Sequence, residues 1–172
     1  MRKILLVVDM QNDFISGSLG SADAQSIVSG VAKRISEFDG EVIFTRDTHF
    51  EDYLSTREGR HLPISHCIKE THGWQIAAEL PIPEGARIID KETFGSAALA
   101  CQLAEENSDS PIGEIEILGL CTDICVISNA FLLKAYLPEC EITVNSALCR
   151  GVSTESHNNA LASMAACQIN II

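Results

Sequence analysis

Two hydrophobic periods alternate along the chain. Ile4–Val8 is an unbroken apolar run, the pattern of a strand covered on both faces. Ala24–Phe38 carries apolar residues at 27, 28, 31, 35 and 38, a helical spacing closed by Gly40. Glu41–Thr45 and Arg87–Ile89 read as strands, Ala97–Glu105 as a helix, and Ile115–Leu120 as a fourth strand. Asp123–Tyr136 is mostly apolar and predicts a long helix ended by Pro138. Glu141–Val144 predicts a fifth strand, Thr154–Ala166 a helix with a polar start, and Gln168–Ile172 a last strand. The repeated strand–helix order predicts an α/β fold. We expect a doubly wound, mostly parallel six-stranded sheet with helices on both faces, and one domain over residues 1–172.

The alternation breaks once, from Asp47 to about Leu80. That stretch holds four of the five histidines and the only tryptophan. Long irregular segments inside a domain are usually functional. In parallel sheets ligands gather at the carboxyl ends of the strands. Asp9 ends the first strand, Asp47 the second and Asp90-Lys91 the third, while Cys125 opens the helix after the fourth. Four separate segments therefore converge on one edge.

The turn Gly119-Leu120-Cys121-Thr122-Asp123-Ile124-Cys125 leads from strand to helix, with Thr122 or Asp123 as the expected N-cap. Cys125 then sits in the first turn, where free N–H groups and a nearby lysine favour a thiolate. Lys91 is the obvious cation. Asp9 is placed to take the thiol proton and later deliver it to a leaving amine. Backbone N–H groups of the same turn can hold an oxyanion. A single cysteine in an apolar helix is ordinarily a core residue. The joint placement at strand ends is what favours chemistry. Cys121 and Cys125 also form C-x3-C, but no second cysteine pair has metal-ligand spacing.

Composition narrows the function classes. A formal net charge of −12, with no basic run, argues against a nucleic-acid partner. No stretch nears the roughly 18 apolar residues of a membrane span, and the five-residue run at the start stops at Asp9. Seven cysteines, an odd count, argue against a disulfide framework and for a reducing cytoplasm.

Three motifs, Asp9-Met10-Gln11-Asn12-Asp13-Phe14, Asp90-Lys91-Glu92-Thr93-Phe94-Gly95-Ser96 and the turn ending at Cys125-Val126, resemble the isochorismatase-like cysteine hydrolases in order and spacing. The resemblance runs from end to end. It implies a catalytic triad of Asp9, Lys91 and Cys125, a cis peptide between Leu120 and Cys121, and an oxyanion hole from the N–H groups of Cys121 and Cys125. It also implies a substrate pocket bordered by Phe14 and Leu120, and a homo-oligomer, dimer or tetramer. True isochorismatases usually lack the nucleophilic cysteine, so its presence points to amide hydrolysis.

Asp47-Thr48-His49 and the later His66 supply one carboxylate and two imidazoles, a set suited to a divalent metal: zinc, with manganese or iron as alternatives. Glu58 is a possible fourth ligand and His61 a rival. D-x-H followed by His-Cys resembles the metal site of nicotinamidases, which implies nicotinamide as the small-molecule substrate. Two positions depart from that pattern. Thr48 stands where a tryptophan is frequent, and Leu62-Pro63-Ile64-Ser65 stands where an aromatic often precedes the second histidine. Two other readings stay open. One is an amidase for another small carbamoyl or ureido compound without metal. The other is a non-catalytic small-molecule-binding protein on the same scaffold.

Overall fold

Residues Met1–Ile172 are all described by the computed structural model. Strands β1 (Arg2–Val8), β2 (Glu41–Asp47), β3 (Arg87–Lys91), β4 (Ile112–Leu120), β5 (Glu141–Arg150) and β6 (Asn170–Ile171) form one sheet in the order β3-β2-β1-β4-β5-β6. Every neighbouring pair is parallel, so the sheet is wholly rather than mostly parallel. The reason is connectivity: every link returns the chain to the same end of the sheet, and none is a hairpin. β1 lies centrally, and Ile4–Val8 are at most 1% exposed, as expected of a strand covered on both faces.

The helices are α1 (Asn12–Ile15), α2 (Ala22–Glu37), α3 (Arg57–His61), α4 (Ala97–Asp109), α5 (Ile127–Tyr136) and α6 (Thr154–Ala166). Ser21, Thr56, Ser96 and Ser153 cap α2, α3, α4 and α6 by accepting backbone N–H bonds. Right-handed crossovers put α2 on one face and α4, α5 and α6 on the other. α2 packs against β4 and β5, while α5 packs between α4 and α6. Ile27, Val31 and Ile35 of α2 are buried at the predicted period.

Three differences from the sequence pattern bear on the site. The expected helix from Asp123 begins as a wide π-type turn, Thr122–Val126, and only becomes α-helical at Ile127. Neither Thr122 nor Asp123 caps it. Thr122 Oγ1 pairs with His157 Nδ1 at 2.8 Å, and Asp123 Oδ1 accepts from the Val152 N–H at 3.1 Å. The last strand shrinks to Asn170–Ile171, because Gln168 turns at φ 63°. The stretch after Asp47 is not wholly irregular, since it contains a 3-10 turn at Tyr53–Ser55 and α3. Within β4, Gly119 adopts φ 122°, and a Cβ there would lie 2.1 Å from the Val8 carbonyl oxygen. Only glycine lets β4 approach the end of β1 this closely.

One charged residue is buried in β4. Glu116 is 3% exposed and meets Arg34 of α2, whose Nε lies 3.0 Å from Oε1. Asn145 adds a bond at 3.0 Å. Burial opposes the charge on Glu116, but Arg34 and Asn145 outweigh it and hold the carboxyl below its ordinary 4.5. A depressed folded-state pKa means that this stabilisation is complete above that range and fades as pH falls through it. Glu116→Gln should cost about 1–3 kcal/mol at neutral pH. The gap from wild type, measured by urea unfolding, should narrow below about pH 4. A gap constant from pH 7 to pH 3 would contradict this role.

Candidate active site

The end of β1 is shaped before any chemistry is considered. Asp9 adopts φ 49°, a left-handed conformation that costs a non-glycine residue free energy. Its N–H donates to the Thr45 carbonyl at 3.2 Å, and Thr45 Oγ1 donates to Asp9 Oδ1 at 2.7 Å. Both residues are fully buried. With Oδ1 engaged, Oδ2 turns toward Lys91, whose Nζ lies 2.7 Å away. The same ammonium lies 3.5 Å from Cys125 Sγ and 3.4 Å from Asp47 Oδ1. Asp9, Lys91 and Cys125, predicted from three separate segments, therefore meet around one buried nitrogen.

Burial sets the protonation states. It pushes the Asp9 carboxyl up, against the pull of Lys91. It disfavours the Lys91 charge, but Asp9, Cys125 and Asp47 more than compensate, so the ammonium stays protonated. The Cys125 thiol is pushed well above its ordinary value, first by burial and then by Asp9, with Lys91 opposing. Burial thus opposes the charge that the helix start and Lys91 favour on Cys125, and the Asp9 carboxyl lies against the same ammonium.

Cys125 lies in the wide turn, which is pinned from below. Asn129 Nδ2 donates to the Cys125 carbonyl at 2.8 Å and to the Phe94 carbonyl at 3.3 Å, and Asn129 Oδ1 accepts from the Ser96 N–H at 3.0 Å. One side chain ties the cysteine turn to the loop after Lys91. The signal that could have found it is a buried asparagine in an otherwise apolar helix. The peptide between Leu120 and Cys121 is cis, as the resemblance implied. Leu120 itself is 1% exposed and belongs to the hydrophobic core, as does Cys125.

The first motif acts as a set of ties between β1 and the long loop. Gln11 Nε2 donates to the carbonyls of Asp47 and Trp74, both at 2.8 Å, and Oε1 accepts from the Asp47 N–H at 2.7 Å. Asn12 Nδ2 donates to the His72 carbonyl at 2.8 Å. Asp13 Oδ2 accepts from the Cys67 N–H at 2.8 Å, next to His66. The Phe14 ring lies 5.5 Å from that of His66.

Asp47, His49, Glu58 and His66 bring one ligand atom each within 4.8 Å of one another. His49 Nε2 lies 3.0 Å from Asp47 Oδ2 and 3.5 Å from Glu58 Oε1, and His66 Nε2 lies 3.6 Å and 3.9 Å from the same oxygens. These spacings suit atoms gathered about one ion with bonds of about 2 Å. Two further observations fit a cation. His49 Nε2 is buried and makes no hydrogen bond, being close to Asp47 but out of line. His66 Nδ1 meets the Ile64 carbonyl at 2.8 Å, which can only accept, so the proton sits there and Nε2 offers its lone pair to the cluster. Burial works against charge on Asp47, but His49, His66 and Lys91 outweigh it and hold the carboxyl well below the usual range. His61 stands outside, exposed, with Nδ1 on the Arg57 carbonyl. Glu58, not His61, completes the set.

Tyr53 escaped the sequence reading because no period marks the loop. It is 1% exposed, its ring lies 4.6 Å from His49 and 5.0 Å from His66, and its hydroxyl donates to the Leu62 carbonyl at 3.0 Å. It packs against both imidazoles, whose own ring centroids lie 4.8 Å apart, edge to face. A cleft of about 470 Å³ opens against Glu58, lined also by Arg57, His61, Glu92, Thr93 and Phe94. Glu92 faces this space and leaves Lys91 to the aspartates.

The Pyrococcus horikoshii pyrazinamidase, solved in complex with zinc, superposes with a TM-score of 0.85 at 28% identity, covering 100% of this chain and 99% of that one. A pyrazinamidase/nicotinamidase from Streptococcus mutans gives a TM-score of 0.81 at 26% identity over 99% of both chains. In sequence, the nicotinamidase of Schizosaccharomyces pombe is 27% identical, over 98% of this chain and 91% of its own. The isochorismatase domain matches residues 3–172. The chain belongs to the isochorismatase family.

Proposed function

We propose that the chain hydrolyses nicotinamide to nicotinate and ammonia, with Asp9, Lys91 and Cys125 as the catalytic group and a zinc ion held by Asp47, His49, Glu58 and His66. The observation that carries this reading is the shared carboxylate of Asp47, which faces Lys91 with one oxygen and the imidazoles with the other. A thiol nucleophile and a metal set stand side by side. The similarity to a zinc-bound pyrazinamidase and to named nicotinamidases supports the same substrate class. The absence of disulfides among seven free cysteines is in keeping with a reducing compartment, and no helix is long and apolar enough to cross a membrane.

The reaction starts from the neutral thiol. Asp9 takes the Cys125 proton as sulfur attacks the carboxamide carbon. Lys91 stays protonated and offsets the negative charge that moves between sulfur and carboxylate. The oxyanion is received by the N–H groups of Cys121 and Cys125. As the C–N bond breaks, Asp9 returns its proton to nitrogen and ammonia leaves, giving a thioester on Cys125. Water then attacks the thioester carbon while Asp9 accepts its proton, and the expelled sulfur is reprotonated as nicotinate departs. Asp47, His49, Glu58 and His66 would hold a zinc ion that would supply a Lewis acid for the pyridine nitrogen and so orient the ring. Phe14, beside His66, borders the ring site.

Ammonia release from nicotinamide should fall on chelation and return with added zinc. Protein that keeps full turnover after its metal is stripped would refute the metal assignment. Cys125→Ala should lower kcat by roughly 10⁴-fold or more and leave the circular dichroism spectrum unchanged. Rapid turnover by that variant would sink the mechanism. His49→Ala and Asp47→Ala should separate. His49→Ala should mainly raise KM, whereas Asp47→Ala should also lower kcat, because its second oxygen faces Lys91. Steady-state kinetics with metal in excess reads the difference, and equal effects on kcat would remove Asp47 from its double role.

A further inference from the structure

Trp74 is the only tryptophan in the chain, and none of the chemistry above uses it. It nevertheless grips the tip of β2 at two points. Its indole Nε1–H donates to Thr48 Oγ1 at 2.9 Å. Its carbonyl accepts from Gln11 Nε2, the same nitrogen that donates to the Asp47 carbonyl. Thr48 is 3% exposed and fully engaged. Its N–H donates to the Lys91 carbonyl at 2.8 Å, and its hydroxyl donates to the Arg46 carbonyl at 3.1 Å while accepting from the indole. The Arg46 guanidinium lies 3.5 Å from the centre of the indole ring and donates from Nε to Asp90 Oδ1 at 2.7 Å. Cation–π contacts and charge-assisted bonds of this kind lock both partners.

Side chains alternate along an extended chain. Arg46 and Thr48 meet Trp74, while Asp47 between them meets Lys91 and the imidazoles. His49 follows, with its N–H on the Cys67 carbonyl at 2.9 Å. The tip of β2 thus carries two of the four clustered ligand atoms on one side and a tryptophan clasp on the other. Ligand atoms must be held to within about 0.5 Å to serve one ion. A residue that merely covered the sheet would need neither the hydrogen bond to Thr48 nor the shared Gln11 nitrogen.

We infer that Trp74, acting through Thr48 and Arg46, is a positioning residue for the metal ligands, fixing the aim of Asp47 and His49. The inference rests on the metal reading of the cluster. Its test is zinc affinity, measured by competition with a chromophoric chelator, for wild type, Thr48→Val, Thr48→Ser and Trp74→Phe. Thr48→Val keeps the shape and removes only the hydroxyl. It should bind zinc about 10- to 100-fold more weakly, the usual effect of losing support behind a ligand. Trp74→Phe should do the same, and Thr48→Ser should bind like wild type. Should Trp74→Phe fail to fold, the isosteric Thr48→Val still carries the test. Thr48→Val that binds like wild type overturns the inference and leaves the metal site standing. Thr48→Ser as weak as Thr48→Val also overturns it, since zinc affinity would then not follow the hydroxyl that Trp74 grips. A wild-type protein that takes up no zinc overturns the metal reading and this inference together. Trp74 emission gives a second readout and should change in step with zinc uptake. Emission that stays flat while calorimetry records saturation breaks the link between the clasp and the cluster.

Discussion

Everything at the carboxyl edge of the sheet depends on how two buried carboxylates share one ammonium. Asp9 and Asp47 both lie against Lys91, and all three are almost wholly removed from water. Two negative charges facing one positive charge in a poorly polarisable interior are unbalanced. The imbalance is relieved where Asp47 faces His49 and His66, because a divalent cation or a proton there supplies positive charge. Electrostatics therefore couples Cys125 to the cluster around Asp47, and removing any member changes the charge felt by the rest.

The surrounding chain is organised to hold this cluster still. β1 delivers Asp9 in a left-handed conformation, kept there by Thr45 on β2. Gln11, Asn12 and Asp13 then reach across to the loop that carries the imidazoles. Asn129 secures the cysteine turn to the segment after Lys91. Short polar ties between distant segments order a long loop that has little regular structure of its own, which is how such loops overcome their conformational entropy.

The sheet was legible because its signals are local. An unbroken apolar run such as Ile4–Val8 needs no partner to be recognised as a buried strand, and the placement of Asp9, Asp47, Lys91 and Cys125 follows from the parallel topology. Glu58 could be named as a candidate but not chosen over His61, since α3 presents both and only the three-dimensional turn decides which faces the cluster. Tyr53 and Asn129 were invisible because their roles exist only after distant segments meet. The wide turn at Thr122–Val126 was read as ordinary helix because apolar composition does not distinguish the two. The burial of Cys125 was hidden for a related reason: the helix start is visible in the sequence, whereas its depth is not.

That depth has a consequence for the durability of the protein. Oxidants and electrophiles consume cysteines in proportion to their thiolate fraction and their access to solvent. Cys125 is 4% exposed, and burial pushes its thiol pKa up. A cell under peroxide stress would therefore spend exposed thiols such as Cys101 and Cys167 before it lost this one, because the burial that raises its thiol pKa also withholds the sulfur from solvent.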